Sequence, residues 1–399
     1  MRRFFFLLVL AGLIWWGYPK VFPARAGEVQ RGGDPERDRV LEIMGAKSSS
    51  QAQVAEAGDA ARETPGRGDA VSSEDQAWIA GIRAAEPAAL ARAWSALGDS
   101  STPSALRGAV RDALSALPSG DADALLAALG EGNGFLRSAE GRLIASKALA
   151  LVKNQPPAVA IVSMTRLLEK CMRGDIGKRD VDARAFVDEA RRELKRLADR
   201  TICDPSDLSR ARSYTVARGD SLSTIARRFR KEGISVEAMT LALLNRIHNP
   251  KTLREGQKIK VPLDPVRTVV EKRSFLMAVY VGERMLRLYW IGHGADDKTP
   301  VATFTVTEIL PNPQWDAPNG EHYPPGHPKN ILGKWFVKLA NDYHQGFGVH
   351  GTTAPESIGT MASMGCIRML DEDIDEFANF VPRGTKVEVR ETRDLVAGG

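Results

Sequence analysis

The sequence predicts a multidomain α+β protein: an α-helical region, then a small βααβ module, then a mainly β domain. Three observations carry this. Residues 76–212 are rich in Ala and Leu, with apolar side chains three and four apart, the spacing of one helix face. Residues 213–262 read strand, helix, helix, strand. Residues 266–391 alternate apolar and polar positions in short runs broken by Gly and Pro, the period of half-buried strands. The 399 residues leave room for about two to four domains. With 43% hydrophobic and 26% charged residues, the composition excludes a multi-spanning membrane protein, a fibre and a wholly disordered chain. A net charge of +5 gives no reason to expect a nucleic-acid partner. Three cysteines are too few for a disulfide scaffold.

Residues 1–26 read as an export signal. Met1-Arg2-Arg3 precedes an apolar run from Phe4 to Trp16. As a helix that run reaches only about 20 Å at about 1.5 Å per residue, against a bilayer core of about 30 Å. Pro19 and Lys20 suit a longer span poorly, and Ala24-Arg25-Ala26 offers a cleavage site. A cleaved signal peptide and a membrane-retained signal anchor both remain open. Either places the rest of the chain in the cell envelope, outside the cytosol. Residues 27–75 carry 11 acids against 6 bases and few large apolar side chains. Such a segment cannot bury enough surface to offset its ordering entropy, so it is expected to be a disordered linker.

In the helical region, Thr102-Pro103, Asp121 and Ser138 are candidate helix starts, and Pro156-Pro157 separates two helices. A helix from Asp180 to Asp199 completes an expected set of six. Nothing here carries chemistry; a spacer or a docking surface for a protein partner is the expectation. Cys171 and Cys203 are either paired or buried as free thiols.

In residues 213–262, Ser213–Val216 and Gln257–Pro262 are the strands, and Asp220 is the expected cap of the first helix. Tyr214-Thr215-Val216, Gly219-Asp220-Ser221-Leu222, Ile225-Ala226, Asn245, Gly256-Gln257-Lys258-Ile259 and Pro262 together resemble the lysin-motif (LysM) family. The resemblance implies binding of glycans that contain N-acetylglucosamine. It places the sugar groove between Gly219, Asp220, Ser221 and Leu222 on one side and Asn249, Pro250 and Leu253 on the other. Ten bases against four acids give the module a charge that would suit an anionic wall polymer.

Residues 266–391 hold the candidate chemistry. Gly348-Val349-His350-Gly351-Thr352 is followed by Ser357-Ile358-Gly359 and then by Ser363-Met364-Gly365-Cys366-Ile367-Arg368-Met369. A thiolate is a strong nucleophile, but a free thiol with a pKa of about 8.5 is mostly protonated at neutral pH. A neighbouring His can take its proton. Gly365 lets backbone N–H groups approach an oxyanion. The long Pro/Gly-rich excursion Pro311–Asn330 reads as functional.

These residues, with Thr299-Pro300, Phe304-Thr305-Val306, Asn312-Pro313, Trp315, Pro324-Pro325-Gly326, Asn330-Ile331-Leu332-Gly333 and Val381-Pro382-Arg383-Gly384-Thr385, resemble the L,D-transpeptidase catalytic domain family. The resemblance implies that Cys366 attacks a peptidoglycan stem tetrapeptide, with His350 as general base. The N–H groups of Gly365 and Cys366 would bind the oxyanion. Arg368, Ser363 and Gly351 would line the substrate site; Arg368 would brace the Cys loop or anchor a carboxylate, and Ser363 would hydrogen-bond that loop. An amine acceptor gives a 3→3 cross-link, water gives an L,D-carboxypeptidase, and a wall protein gives protein attachment. The family often has a second His two residues before the Cys; Met364 stands there, leaving His350 as the only base in the motif.

No cofactor and no metal is implied, because the histidines match no zinc-ligand spacing. No Ser-x-x-Lys tetrad supports a serine penicillin-binding enzyme. A non-catalytic wall-binding scaffold is the rival from another class. Peptidoglycan strands and stems are the expected partners in both.

Overall fold

The computed structural model describes residues 71–391 apart from 85, 99–100, 118–120 and 130–134. The expected export signal and most of the linker lie outside the described residues. The chain first forms α1 (Ser73–Arg83), α2 (Pro87–Gly98), α3 (Ser104–Ser115), α4 (Ala122–Ala128), α5 (Ala139–Asn154), α6 (Pro157–Met172) and α7 (Val181–Arg200). Among the described residues that is seven α-helices rather than the six expected. The extra one arises because Pro87 cannot donate to a continuing α1 and opens a new helix instead.

The helix starts follow local chemistry. Asp121 caps α4 by accepting the Asp123 N–H at 2.9 Å, and Ser138 caps α5 by accepting the Gly141 N–H at 3.0 Å. Thr102 is not a cap: α3 begins one residue later than expected, with Pro103 in the cap position. The Asp180 carboxylate turns back to the Gly177 N–H at 2.6 Å and leaves the start of α7 without a side-chain cap.

The βααβ module follows, as β1 (Ala211–Thr215), α8 (Leu222–Lys231), α9 (Ala238–Leu244) and β2 (Lys258–Pro262). β1 and β2 are antiparallel, with Tyr214 opposite Ile259. Ser221, not Asp220, caps α8, in a reciprocal box with Thr224. Asp220 is drawn away because its carboxylate accepts from the Tyr214 hydroxyl at 2.6 Å and the Ala217 N–H at 2.9 Å. Leu222, Ile225, Phe229, Leu241 and Val261 form the module's own small core.

The remaining strands are β3 (Val266–Glu271), β4 (Leu276–Val281), β5 (Arg284–Trp290), β6 (His293–Gly294), β7 (Thr303–Pro311), β8 (Trp315–Asp316), β9 (His322–Tyr323), β10 (Trp335–Ala340), β11 (Phe347–His350), β12 (Met361–Ser363), β13 (Ile367–Arg368) and β14 (Lys386–Arg390). One helix, α10 (Asp371–Phe380), lies among them. Eight strands form one mixed sheet in the order β13-β11-β10-β7-β14-β3-β4-β5. The pairs β11–β13 and β14–β3 are parallel, and the others in this sheet are antiparallel. The excursion after β7 folds as the small hairpin β8–β9, where Trp315 stacks on Tyr323 with ring centroids 5.4 Å apart.

The helical region is not a detached spacer. α5, α6 and α7 contribute Ile144, Leu167, Leu168 and Leu194 to the same hydrophobic core as Met277, Leu286, Val337 and Phe377 of the β domain. The helices also close the β5 flank of the sheet. The Met285 N–H donates to Thr165 Oγ1 at 3.0 Å, and Trp290 Nε1 donates to Asp188 at 2.7 Å. A bare edge strand would present unpaired backbone groups to other chains; Thr165 occupies one of them, and the Trp290 side chain ties the strand to α7. The βααβ module is mounted on both neighbours. Thr240 Oγ1 donates to the Phe380 carbonyl at 2.8 Å, and buried Lys260 donates through Nζ to the Ile202 carbonyl at 2.7 Å. Cys171 and Cys203 are buried free thiols whose pKa values burial pushes up, to about 12 and about 11.

Candidate active site

His350 and Cys366 come from adjoining strands at one end of the sheet. In the parallel pair β11–β13, Val349 faces Ile367 and His350 faces Arg368. That register carries Gly348 to the level of Cys366. Residues two apart share a sheet face, so His350 and Cys366 lie on the same face, one diagonal step apart.

His350 is buried, and its Nδ1 lies 2.6 Å from the Gly351 carbonyl. A carbonyl only accepts, so this contact places the proton on Nδ1 and leaves Nε2 as the basic nitrogen. Phe336 stacks on the imidazole, with centroids 6.3 Å apart. Burial lowers the His350 pKa to about 4; the Gly351 and Ile331 carbonyls oppose the shift and the charge of Arg368 adds to it.

Cys366 is partly exposed and free. Its thiol points toward the Gly346 carbonyl at 3.9 Å. Burial of the sulfur raises its pKa, while the Gly348 N–H and the Arg368 charge pull it down by less. Both shifts favour uncharged forms. Both directions run against a standing thiolate–imidazolium ion pair.

The Cys loop is fixed by short bonds. Ser363 Oγ donates to the Cys366 carbonyl at 2.5 Å and accepts the Gly365 N–H at 3.1 Å. Thr299 Oγ1 donates to the Gly365 carbonyl at 2.7 Å and accepts the Gly294 N–H at 2.8 Å. Gly365 has φ +133°, and a Cβ there would stand 3.0 Å from the Phe347 ring and 3.1 Å from the Lys298 carbonyl. Only glycine fits both the dihedral and the space.

These contacts revise several expectations. The Gly365 N–H is taken by Ser363, which leaves the Cys366 N–H as the donor of the expected pair without an acceptor among the described residues. Gly351 supplies the carbonyl that orients His350, and a Cβ on it would lie 2.4 Å from Asp371 Oδ1; it does not line an open surface. Arg368 is tied only through its backbone, exchanging bonds with Gly292 at 2.8 and 2.9 Å. Its guanidinium makes no hydrogen bond or ion pair with any described residue, so it does not brace the loop. Thr299 and the Gly348 N–H are site groups to which residue type alone does not point. Thr299 stands in a recognisable Thr-Pro pair, but a backbone N–H aimed at a sulfur leaves no trace in residue identity.

Of the expected glycan residues, Gly219, Ser221, Asn249 and Pro250 are exposed, and Leu253 is half-buried. Leu222 sits in the module's core at 2% exposure, and the Asp220 carboxylate is held internally. Those two shape the loop rather than face a ligand. Among the described residues no cluster of three or more His, Cys, Asp or Glu is arranged to hold a metal, and no helix is long and apolar enough to cross a membrane.

Fold and site together define a cysteine–histidine domain carried on a mixed sheet. Residues 265–389 match the L,D-transpeptidase catalytic domain family, and residues 214–262 match the LysM domain family. The chain is 32% identical over 180 residues to YkuD of Bacillus subtilis, covering 44% of this chain and 98% of that one. It is 30% identical over 183 residues to YkuD of Bacillus licheniformis, covering 44% and 97%. YqjB of Bacillus subtilis is 34% identical over 130 residues, 32% of this chain and 72% of that one. All three bear L,D-transpeptidase names. The chain belongs to the L,D-transpeptidase family.

Proposed function

We propose that this transpeptidase forms 3→3 cross-links in peptidoglycan through a thioester on Cys366, held at the wall by its LysM module. The observation that carries this is the β11–β13 register, which sets a tautomer-locked imidazole and a partly exposed thiol on one face. The cell envelope is the compartment that both domains fit.

The chemistry runs as follows. Cys366 Sγ attacks the carbonyl between the diamino acid's L-centre and D-Ala, and the S–H proton passes to Nε2 of His350. The oxyanion faces the Cys366 N–H. Collapse breaks the C–N bond; the imidazolium returns its proton to the leaving amine, D-Ala departs, and the acyl group stays on sulfur. An amine of a second stem attacks the thioester, loses its proton to His350, and the thiol is released. The thiol begins protonated, so the nucleophile is generated within the step and is not stored. The unengaged Arg368 guanidinium, close enough for its charge to act on both His350 and Cys366, anchors a carboxylate of the stem.

The test uses the full chain with disaccharide-tetrapeptides and mass analysis of products. A dimer lacking one D-Ala is the expected product, and Cys366→Ser abolishes it. Tripeptide without dimer would transfer the reading to an L,D-carboxypeptidase, and product from the Ser variant would remove Cys366 from the mechanism.

A further inference from the structure

The LysM module carries ten Lys and Arg, and the structure separates them into two sets. One set is spent internally. Arg228 is held by Asp220, Arg230 by Glu237, Arg246 by the Cys203 carbonyl and Lys260 by the Ile202 carbonyl. The other set is Arg218, Arg227, Lys231, Lys251, Arg254 and Lys258. All six are exposed, and none has a hydrogen-bond or ion-pair partner for its side-chain charge among the described residues.

Four of these six are not scattered. Arg218 lies in the β1–α8 loop, and Lys251 and Arg254 lie in the segment before β2. Val216 and the 256–257 turn exchange backbone bonds, the Gly256 N–H to the Val216 carbonyl at 2.8 Å and the Val216 N–H to the Gln257 carbonyl at 2.9 Å. This stitches the two loops side by side and brings Arg218 and Arg254 to the same end of the ribbon. Lys258 stands there too, opposite Thr215. Glu255 is the one acid in these loops, and Asp220 is already consumed. Arg227 and Lys231 are equally free but stand on α8, away from the loops.

These are the two loops between which a LysM glycan would lie, so the free cations flank the sugar path. While its stems are attached, the glycan backbone has its lactyl carboxyls tied up in amide bonds and gives such charges nothing to pair with. The stem peptides attached along that backbone do: a tetrapeptide ends in a free carboxylate and carries others on its acidic residues. We infer that Arg218, Lys251, Arg254 and Lys258 take the stem-peptide carboxylates, so that the module selects glycan still bearing its peptides over denuded glycan. This rests on the proposed wall-binding role and gives the module a substrate class, the peptide-bearing strand that the catalytic domain can use. Charge complementarity of this exposed kind is screened by salt, which supplies a signature.

The experiment measures binding of the full chain carrying Cys366→Ser, so that no turnover intrudes. Three insoluble glycans are used: intact sacculi, chitin as a glycan with neither stems nor carboxylates, and sacculi stripped of phosphate polymers by acid. Absence of stems is expected to weaken binding about fivefold at low salt, with the difference vanishing in high salt; loss of phosphate polymers is expected to change nothing. The combined variant Arg218→Gln, Lys251→Gln, Arg254→Gln is expected to bind intact and stem-free glycan alike, at the wild-type level for stem-free glycan. Replacing Arg218 and Arg254 by Lys instead of Gln is expected to recover the preference. Equal wild-type binding to intact and stem-free glycan overturns the inference while leaving the LysM reading in place. A preference that survives the triple variant, or that follows the phosphate polymer, overturns it as well. Absence of binding to every glycan overturns it together with the wall-binding role.

Discussion

Arg368 is the residue where placement changes the chemistry most. Its side chain has no partner among the described residues, yet its charge depresses the pKa of both Cys366 and His350. Burial dominates at both sites, raising the thiol and lowering the imidazole to about 4. The sign for a variant follows directly. Removing the cation in Arg368→Gln raises both pKa values, so at a fixed alkaline pH less thiolate is present. Alkylation of Cys366 by iodoacetamide is expected to rise with pH through a midpoint above the ordinary thiol range, with no acidic plateau, and the Gln variant is expected to lag several-fold. A plateau of fast alkylation below neutral pH would instead reveal a stored ion pair. The candidate nucleophile and base were legible as residues, because a Cys between a Gly and a familiar run stands out. Their resting charge was not, since desolvation depends on what surrounds the pair. The expected oxyanion donors fare differently: Gly365 is needed for its φ and its lack of a Cβ, but its N–H is spent on Ser363.

At the scale of elements, the segment between His350 and Cys366 is held from two sides. From within the β domain, the Gly359 N–H donates to the Ile291 carbonyl at 2.8 Å and the His293 N–H donates to the Thr360 carbonyl at 3.1 Å. From the helical region, Lys178 Nζ donates to the Glu356 carbonyl at 2.6 Å. Arg184 of α7 stacks on Trp290 at 3.9 Å and packs so closely on Gly359 that a Cβ there would meet its Nη1 at 2.9 Å. The helices therefore position a loop whose two ends are the candidate base and nucleophile. Lys178→Ala combined with Arg184→Ala is expected to lower kcat about three- to tenfold with KM little changed, and Arg184→Lys to recover part of the loss; unchanged kcat in the double variant would deny the helices this role. Helix periodicity and several caps were readable one residue at a time. Which face of α7 met which loop was not, because that contact joins residues far apart in the chain.

For the molecule as a whole, the shared core binds the helical region and the catalytic sheet into one body, whereas the LysM module has a core of its own and reaches the shared one through Leu244 and Leu243 of α9. Leu167 is fully buried in α6, within that common core. Leu167→Ala is expected to cost about 2–5 kcal/mol and to lower hydrogen-exchange protection equally in α5–α6 and in β3–β5, with LysM amides much less affected. Loss confined to the helices would show two independent bodies. The sequence separated these regions because their periodicities differ. It could not show that they fold over one interior, since an apolar helix face looks the same whether its partner is another helix or a sheet.

The Thr165 hydroxyl on the Met285 amide has a consequence for any shortened form of this enzyme. A proteolytic clip that released everything before the LysM module would bare the flank of an eight-stranded sheet, with its ladder groups and aliphatic side chains turned outward. Copies of the remnant would stitch together flank to flank and leave solution as insoluble material. The proposed activity would then follow the amount of intact chain, with no smaller active fragment persisting beside it.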